Sequence, residues 1–453
     1  MMQFELTKEY LEAVKTALET GENISVLEQI NDLHPADIAE IFDELNSEEA
    51  EKFYRYLDGE IASDVLIELE EDVREKFLKT LDPAEIAERF IDNMDSDDAA
   101  DIMAELSDEK KDNVISLIKD AEQASDIVDL LNYDEDSAGG LMAKELIKVE
   151  VDWTIPRCIK EMRKQAEDIN NVYTIYVVDS KDKLIGTLSL KKLLLAPAKS
   201  KIADLYDENV HWVKAYEDAE SVANIMDKYD LVVLPVIDEL NRLIGRITID
   251  DVVDVIKEEA DKDYQLASGI SESVDSSDSA FILTRARLPW LLVGMLGGIF
   301  GSLIINQYED QLQIHPEMAL FIPLIAATGG NVGVQSSAII VQGLANKSLG
   351  FDGIFARLSK EFLIALMNGL VCSSIIFLYT FMVKDNISLA ITVCLAMNVV
   401  IVFAGLFGTF IPLMLNKYNI DPALATGPFI TTTNDVVGLL IYFGIGHFMY
   451  IML

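Results

Sequence analysis

The sequence predicts a multidomain chain: an all-α superhelix, a mixed α/β pair of repeats, and an α-helical polytopic membrane domain with five spans. Three observations predict it. The 453 residues carry 36 Lys/Arg and 77 Asp/Glu, of which residues 281–453 hold only 7 and 8, leaving 29 and 69 in the first 280. Five long apolar runs lie after residue 285, and two kinds of internal repeat lie before it. The uneven charge excludes a soluble enzyme of uniform composition. It also excludes a nucleic-acid binder, which needs a basic surface to neutralise phosphates. Three cysteines, Cys158, Cys372 and Cys394, cannot form a secreted disulfide framework. The start MMQFELTKEY has no apolar core, so the acidic half is expected to stay in the cytoplasm.

The first element, residues 1–133, is read from its repeats. HPADIAEIFDEL from His34 is answered by DPAEIAERFIDNM from Asp82, 48 residues on, and SEEAEKFYRYL from Ser47 by SDDAADIMAEL from Ser96. Repeats of this length with a helical apolar period suggest stacked helix pairs. Pro35 and Pro83 suit a first helical turn, with Asp82 as the cap.

Residues 134–258 repeat differently. TIYVVDSKDKLIGTLSLKKLL from Thr174 aligns with VLPVIDELNRLIGRITIDDVV from Val233, at a spacing of 59. Each copy reads as a β run, a polar turn, a second β run at Ile185 or Ile244 with a glycine after it (Gly186, Gly245), then a helix. This resembles tandem cystathionine-β-synthase (CBS) domains. The resemblance implies an adenine nucleotide such as ATP as a regulator, gripped by a Ser/Thr and a carboxylate three residues on. The second copy keeps that pair as Thr248 and Asp251, whereas in the first Ser189 is followed by Lys192. A purely structural dimerising module is the other reading.

An acidic connecting helix and linker, residues 250–284, lead to the membrane domain, residues 285–453. A span needs about 20 mostly apolar residues, because no water satisfies its backbone in the bilayer. Five runs qualify: Leu288 to Asn306, Met318 to Leu344, Phe362 to Val383, Ile387 to Leu415 and Pro428 to Leu453. The last two are long enough to tilt or break, with prolines at Pro412 and Pro428. Arg285, Arg287, Lys347, Arg357, Lys360 and Lys417 flank one side and Lys384 alone the other, which places the six inside and the C-terminus outside.

Superhelix, CBS pair and five spans in this order resemble the MgtE family of magnesium channels/transporters, over nearly the whole chain. DSAGGLM at 136–142, TGGNVGVQS at 328–336 and DPALATGPFITTTNDVVGLLIY at 421–442 carry the likeness. The resemblance implies a membrane-embedded homodimer with its pore on the two-fold axis, lined by the second and fifth spans, in the cell inner membrane. It implies that Mg2+ is the ion carried and that cytosolic Mg2+ closes the pore. Asp421, at the head of the last motif, is also expected to be a metal ligand. Val334 stands where the family more often has a second asparagine, and Gly427 where some relatives carry one.

The residues have their own argument. Asp435 is the one ionisable residue well inside a predicted run, where a charge is costly and therefore functional by default. Thr431, Thr432, Thr433 and Asn434 add oxygens beside it. Two copies on a two-fold axis would repel unless a cation lay between them. In the second run Gly329, Gly330, Asn331, Gly333 and Gln335 either turn carbonyls towards a pore or let helices pack closely. Mg2+ keeps most of its waters and prefers oxygen ligands, a sparse set of the kind offered here, and His34, His211, His315 and His447 form no cluster. Asp250, Asp251, Asp254, Glu258 and Glu259 on the connecting helix, with Asp97, Asp98 and Asp101 on the superhelix, are expected to bind Mg2+ between domains. A solvated acidic face is the plain alternative. Competing functions are a Mn2+ or Co2+ secondary transporter, a CBS-regulated anion channel, which the acidic balance disfavours, and an intramembrane aspartyl protease, which lacks a second intramembrane aspartate. No enzyme activity is expected.

Overall fold

The computed structural model describes residues 4–20, 26–27, 29–166, 169, 171–275, 278–345, 353–384, 386–425 and 427–452. Lys347, one of the flanking cations, lies outside the described residues. The chain divides into two compact units, Met1–Lys257 and Glu258–Leu453.

The first unit begins with helices α1 (Lys8–Thr20), α2 (Pro35–Asp43), α3 (Ser47–Phe53), α4 (Gly59–Glu68), α5 (Glu71–Thr80), α6 (Pro83–Arg89), α7 (Ser96–Ala104), α8 (Asp108–Ile115) and α9 (Ala121–Leu130). The 48-residue repeat maps α2 onto α6 and α3 onto α7. Both prolines sit in first turns, but the caps differ: His34 Nδ1 accepts from Ala36 N at 3.3 Å, whereas Asp82 makes no side-chain cap hydrogen bond. Short amphipathic helices cannot hold themselves in water, so packing of their apolar faces supplies the stability. Edge-to-face rings of Phe42, Phe53, Tyr54 and Phe77 form the centre, with Phe90 against the last two.

The mixed repeats form two three-stranded sheets. β1 (Lys148–Glu150), β2 (Ile175–Val178) and β3 (Leu184–Leu188) make one, with α10 (Ile155–Gln165) and α11 (Leu190–Leu195). β4 (Val213–Lys214), β5 (Val233–Ile237) and β6 (Leu243–Thr248) make the other, with α12 (Ala219–Tyr229) and α13 (Ile249–Ala267). In each sheet the first pair is parallel and the hairpin antiparallel. The hairpin turns place Asp182 and Asn241 at positive φ, which short polar side chains tolerate. The DSAGGLMA segment joins the superhelix to the second sheet: Ala138 N donates to Glu217 O, Gly139 N to Ala215 O, and Ala143 pairs with Arg246 of β6.

In the second unit, α14 (Ala280–Gln307), a short α15 (Glu309–Ile314), α16 (Ile322–Ala345), α17 (Ile354–Lys384), α18 (Ile387–Lys417) and α19 (Gly427–Met452) supply five helices long and apolar enough to cross a membrane. α16 packs on α18 and α19, α17 on α18, and α14 on α19. Pro289 and Pro412 lie inside α14 and α18, while Pro428 occupies the first turn of α19 and does not break it. The glycines of the second run do not open α16 either, which continues from Ile322 to Ala345. They admit neighbours instead. Gly333 meets Gly408 of α18 backbone to backbone and Asn434 of α19 by its side chain, and Gly329 meets Val400.

A Cβ at Gly408 would run into the Gly333 carbonyl oxygen, while one at Gly298 would meet nothing within 4 Å. Gly408→Ala should therefore cost about 1–3 kcal/mol, and Gly298→Ala should be neutral or stabilising by at most about 1 kcal/mol. Thermal unfolding of the purified protein in detergent checks the contrast.

Candidate functional site

Two places bring functional side chains together, one in each unit. In the first, the N-terminal turns of α7 and α13 approach one another. α7 carries Asp97 and Asp98 in its first turn, and Asp101 one turn on. Glu145, just past the DSAGGLMA segment, reaches the start of α7 with both oxygens: Ser96 N donates to Oε1 at 3.2 Å and Ser96 Oγ to Oε2 at 2.8 Å. Lys144 N donates to Ser96 Oγ at 3.0 Å, so the segment is clasped to the helix. One carboxylate oxygen each from Asp95, Asp97 and Glu145 lies within 4.8 Å of the other two. Two oxygens on an octahedral Mg2+ stand about 3–4.2 Å apart, so small movements would bring three onto one ion.

Base is scarce here. Arg246 lies 3.5 Å from Asp95 and is 6% exposed. Arg74, near Asp101, is committed to Glu105 and to the carbonyls of Ile67 and Leu69. Burial and the nearby Asp98, Asp251 and Glu145 push the Asp97 carboxyl well above its ordinary range. Burial, then Asp251 and Asp95, raise Asp98 to about 7. Asp251 rises to about 6 through burial, although Thr248 holds it: Thr248 Oγ1 donates at 2.7 Å and Thr248 N at 3.3 Å. Thr248 and Asp251 thus cap α13 with the atoms assigned to a nucleotide.

The structure brings Asp97, Asp98, Asp101 and Asp251 into one field, with Asp250 exposed at its edge. Asp254 points outward to Lys257 at 2.8 Å. Glu258 and Glu259 belong to the second unit, where Glu259 pairs with Lys262 at 3.0 Å. Asp421 is exposed and its Oδ1 accepts from Ala423 N at 2.8 Å. The sequence reading missed Asp95 and Glu145; the available signal was their place immediately before α7 and three residues after the DSAGGLM motif.

In the second unit Asp435 lies half-buried on α19 against Gly330, where an added Cβ would stand 3.6 Å from Oδ1. It has no ion pair or hydrogen bond among the described residues. Thr431, beside the same glycine, donates back to Gly427 O at 3.0 Å. Asn331 and Gln335, four apart, are exposed on one face of α16, whereas Gly329, Gly330 and Gly333 are buried. Asn434 is buried against Gly333. Outside the apolar runs, α17 begins at Ile354, eight residues before Phe362, and carries Glu361 in its second turn, where Ser336 Oγ donates to its Oε1 at 2.7 Å.

A family model for a divalent cation transporter, MgtE, matches residues 322–445, one for the MgtE intracellular N domain matches 33–136, and CBS domain models match 138–199 and 202–258. The chain is 33% identical over 315 residues to the magnesium transporter MgtE of Bacillus subtilis (strain 168), covering 70% of each. It is 34% identical over 319 residues to the magnesium transporter MgtE of Thermus thermophilus, covering 70% of this chain and 71% of that one. The crystal structure of the cytosolic domain of the Mg2+ channel MgtE in complex with ATP aligns at 33% identity and a TM-score of 0.51, over 54% of this chain and 99% of that one.

The acidic cluster generates a pH dependence. Its carboxylates hold protons more tightly folded than unfolded, so between about pH 4 and pH 7 the folded chain binds more protons and its stability falls as pH rises. In chelator the cytosolic half should unfold at a higher temperature near pH 5 than near pH 7.5. Mg2+ competes with those protons, and at a hundredfold its Kd should restore about 2.7 kcal/mol at the higher pH and much less at the lower. Calorimetry at both pH values, with and without Mg2+, reads the crossover.

Proposed function

The chain belongs to the MgtE family of divalent cation transporters, and from that premise we propose that it carries Mg2+ across a membrane as a homodimer, with cytosolic Mg2+ closing the path. The observation that carries the transport reading is Asp435, a carboxylate in a spanning helix with no partner among the described residues. Two copies facing each other would repel, and a partly hydrated divalent ion neutralises both while keeping most of its waters. The matched relatives are described as magnesium transporters, so Mg2+ is preferred to Mn2+ or Co2+ and the protease reading is set aside. The Lys/Arg flanks support a cytoplasmic Met1–Lys257 and an outside C-terminus.

The gating reading rests on the acids between α7, Glu145 and α13. Asp95, Asp97 and Glu145 hold the first ion, and Asp98, Asp101 and Asp251 shape the field around it. An adenine nucleotide, present in the solved MgtE cytosolic domain, is assigned to Thr248 and Asp251 as a second regulator.

Flux into liposomes, comparing Mg2+, Mn2+, Ca2+ and Na+, tests the function; a protein that passes Na+ as well as Mg2+ would refute it. Asp435→Ala should abolish Mg2+ flux with the fold intact, and Asp435→Asn should lower it at least about 100-fold, since loss of one desolvated charge contact costs about 3 kcal/mol or more. Asp97→Asn, Asp98→Asn and Asp251→Asn together should relieve the repulsion and hold the cytosolic half in its closed arrangement, so flux becomes low and indifferent to internal Mg2+. Each single substitution should shift the inhibitory concentration only a few fold, because a full shift of a two-state gate takes about 5 kcal/mol.

A further inference from the structure

Glu361 is an acid within a spanning helix that the transport reading leaves unused. It sits inside α17, half-buried, where α16, α17 and α18 meet. Ser336 of α16 donates to its Oε1 at 2.7 Å, and Gly405 of α18 makes the room: a Cβ there would stand 3.0 Å from the same oxygen. Glycine and serine at three-residue steps along α16 therefore carry a series of polar neighbours. Gly330 lies beside Asp435, Gly333 beside Asn434, and Ser336 beside Glu361. Six residues of helix put the two ends about 9 Å apart along the axis.

The middle member supplies an independent observation. Asn434 is 1% exposed, and neither Oδ1 nor Nδ2 has a hydrogen-bond partner among the described residues. A buried amide left this way costs on the order of 1–3 kcal/mol for each unmade partner, a cost that a structural role alone does not explain. A hydrated cation accounts for the oxygen, since its waters donate to an amide Oδ1 as they do to carboxylates, while Nδ2 needs an acceptor of its own.

We propose that Glu361 and Ser336 form a second divalent-cation position inside each protomer, linked to Asp435 along this seam by Asn434. The seam lies on the buried side of α16, away from the exposed Asn331 and Gln335. Ions of the Mg2+ class fit it, because every group offers oxygen and a hydrated ion needs few direct ligands. Arg357 and Lys360 flank Glu361 on α17, so the rival is a carboxylate that only ties α16 to α17 and balances these cations.

The proposal rests on the Mg2+ transport reading, and the experiment separates the two. Full-length wild type, Glu361→Gln, Glu361→Asp, Ser336→Cys and Ser336→Cys/Glu361→Gln are reconstituted, with Cd2+ as the probe of the thiol–carboxylate pair. Glu361→Gln should lower Mg2+ flux at least tenfold and Glu361→Asp should retain most of it. Ser336→Cys should be blocked, and stabilised against heat in detergent, by Cd2+ at concentrations at least tenfold below those acting on the wild type with its native Cys372 and Cys394. Adding Glu361→Gln should cancel that gain. Wild-type flux in Glu361→Gln, or a Cd2+ response in Ser336→Cys equal to the wild type, would overturn the site and leave the helix tie. A wild type that carries no Mg2+ would refute the transport reading, while the Cd2+ stabilisation would still report on the pair. If Glu361→Gln fails to fold, the Cd2+ comparison decides alone.

Discussion

Carboxylates kept from water without enough base to neutralise them are the constraint that organises this molecule. In the cytosolic unit Asp97, Asp98 and Asp251 lie half-buried near one another, while Arg246 reaches Asp95 and Arg74 is engaged by Glu105. In the membrane unit Asp435 has no described partner at all. A charged group in low dielectric is tolerated when something takes up its charge. Protons do so at low pH, and a divalent cation does so for two groups at once at neutral pH. A bound divalent cation would therefore lower the cost of these carboxylates in both units.

Close helix approach is the second requirement, and it serves the first. Carboxylates can be partly screened inside a bundle only if neighbouring backbones come near enough to exclude lipid. The glycines of α16 and α18 do this: Gly333 against Gly408, Gly405 beside Glu361, Gly330 beside Asp435. Lipid offers no hydrophobic drive for helices to associate, so packing of small residues carries the burden. The same glycines that looked able to break α16 therefore hold it in place.

Local pattern made much of the fold readable. Prolines at Pro35 and Pro83 recur because a helix start accepts them, and the LIG runs at Leu184 and Leu243 recur because the sheets need the same hairpin twice. What escaped depends on distance along the chain. Ser96 and Glu145 are 49 residues apart and meet only because the DSAGGLMA segment turns back to the superhelix. Glu361 escaped for another reason: the apolar run starts at Phe362, but a helix needs no apolar first turns, so α17 extends through Arg357 and Lys360 to Ile354. Hydropathy locates the part of a helix that prefers lipid, not the part that enters the bundle.

The placement of the acids proposed as the sensor has a further physical logic. Asp97 and Asp98 occupy the first turn of α7, and Asp250 and Asp251 the first turn of α13. Each helix dipole favours an acid there by about 0.3–1 kcal/mol, so either helix alone would accept its own charges. The repulsion arises between the helices, where burial weakens screening and Asp251 faces Asp98 and Asp97. Dipoles cannot remove it, because each is worth too little to offset several carboxylates brought together. They do reduce the deficit to one that weakly bound ions can reverse. A cation moves the balance only by its preference for the closed arrangement, and that preference is largest where the carboxylates it touches come from both helices. A gate of this kind is poised by partial compensation: fully balanced acids would ignore the ion, and wholly uncompensated ones would keep the domains from packing without it.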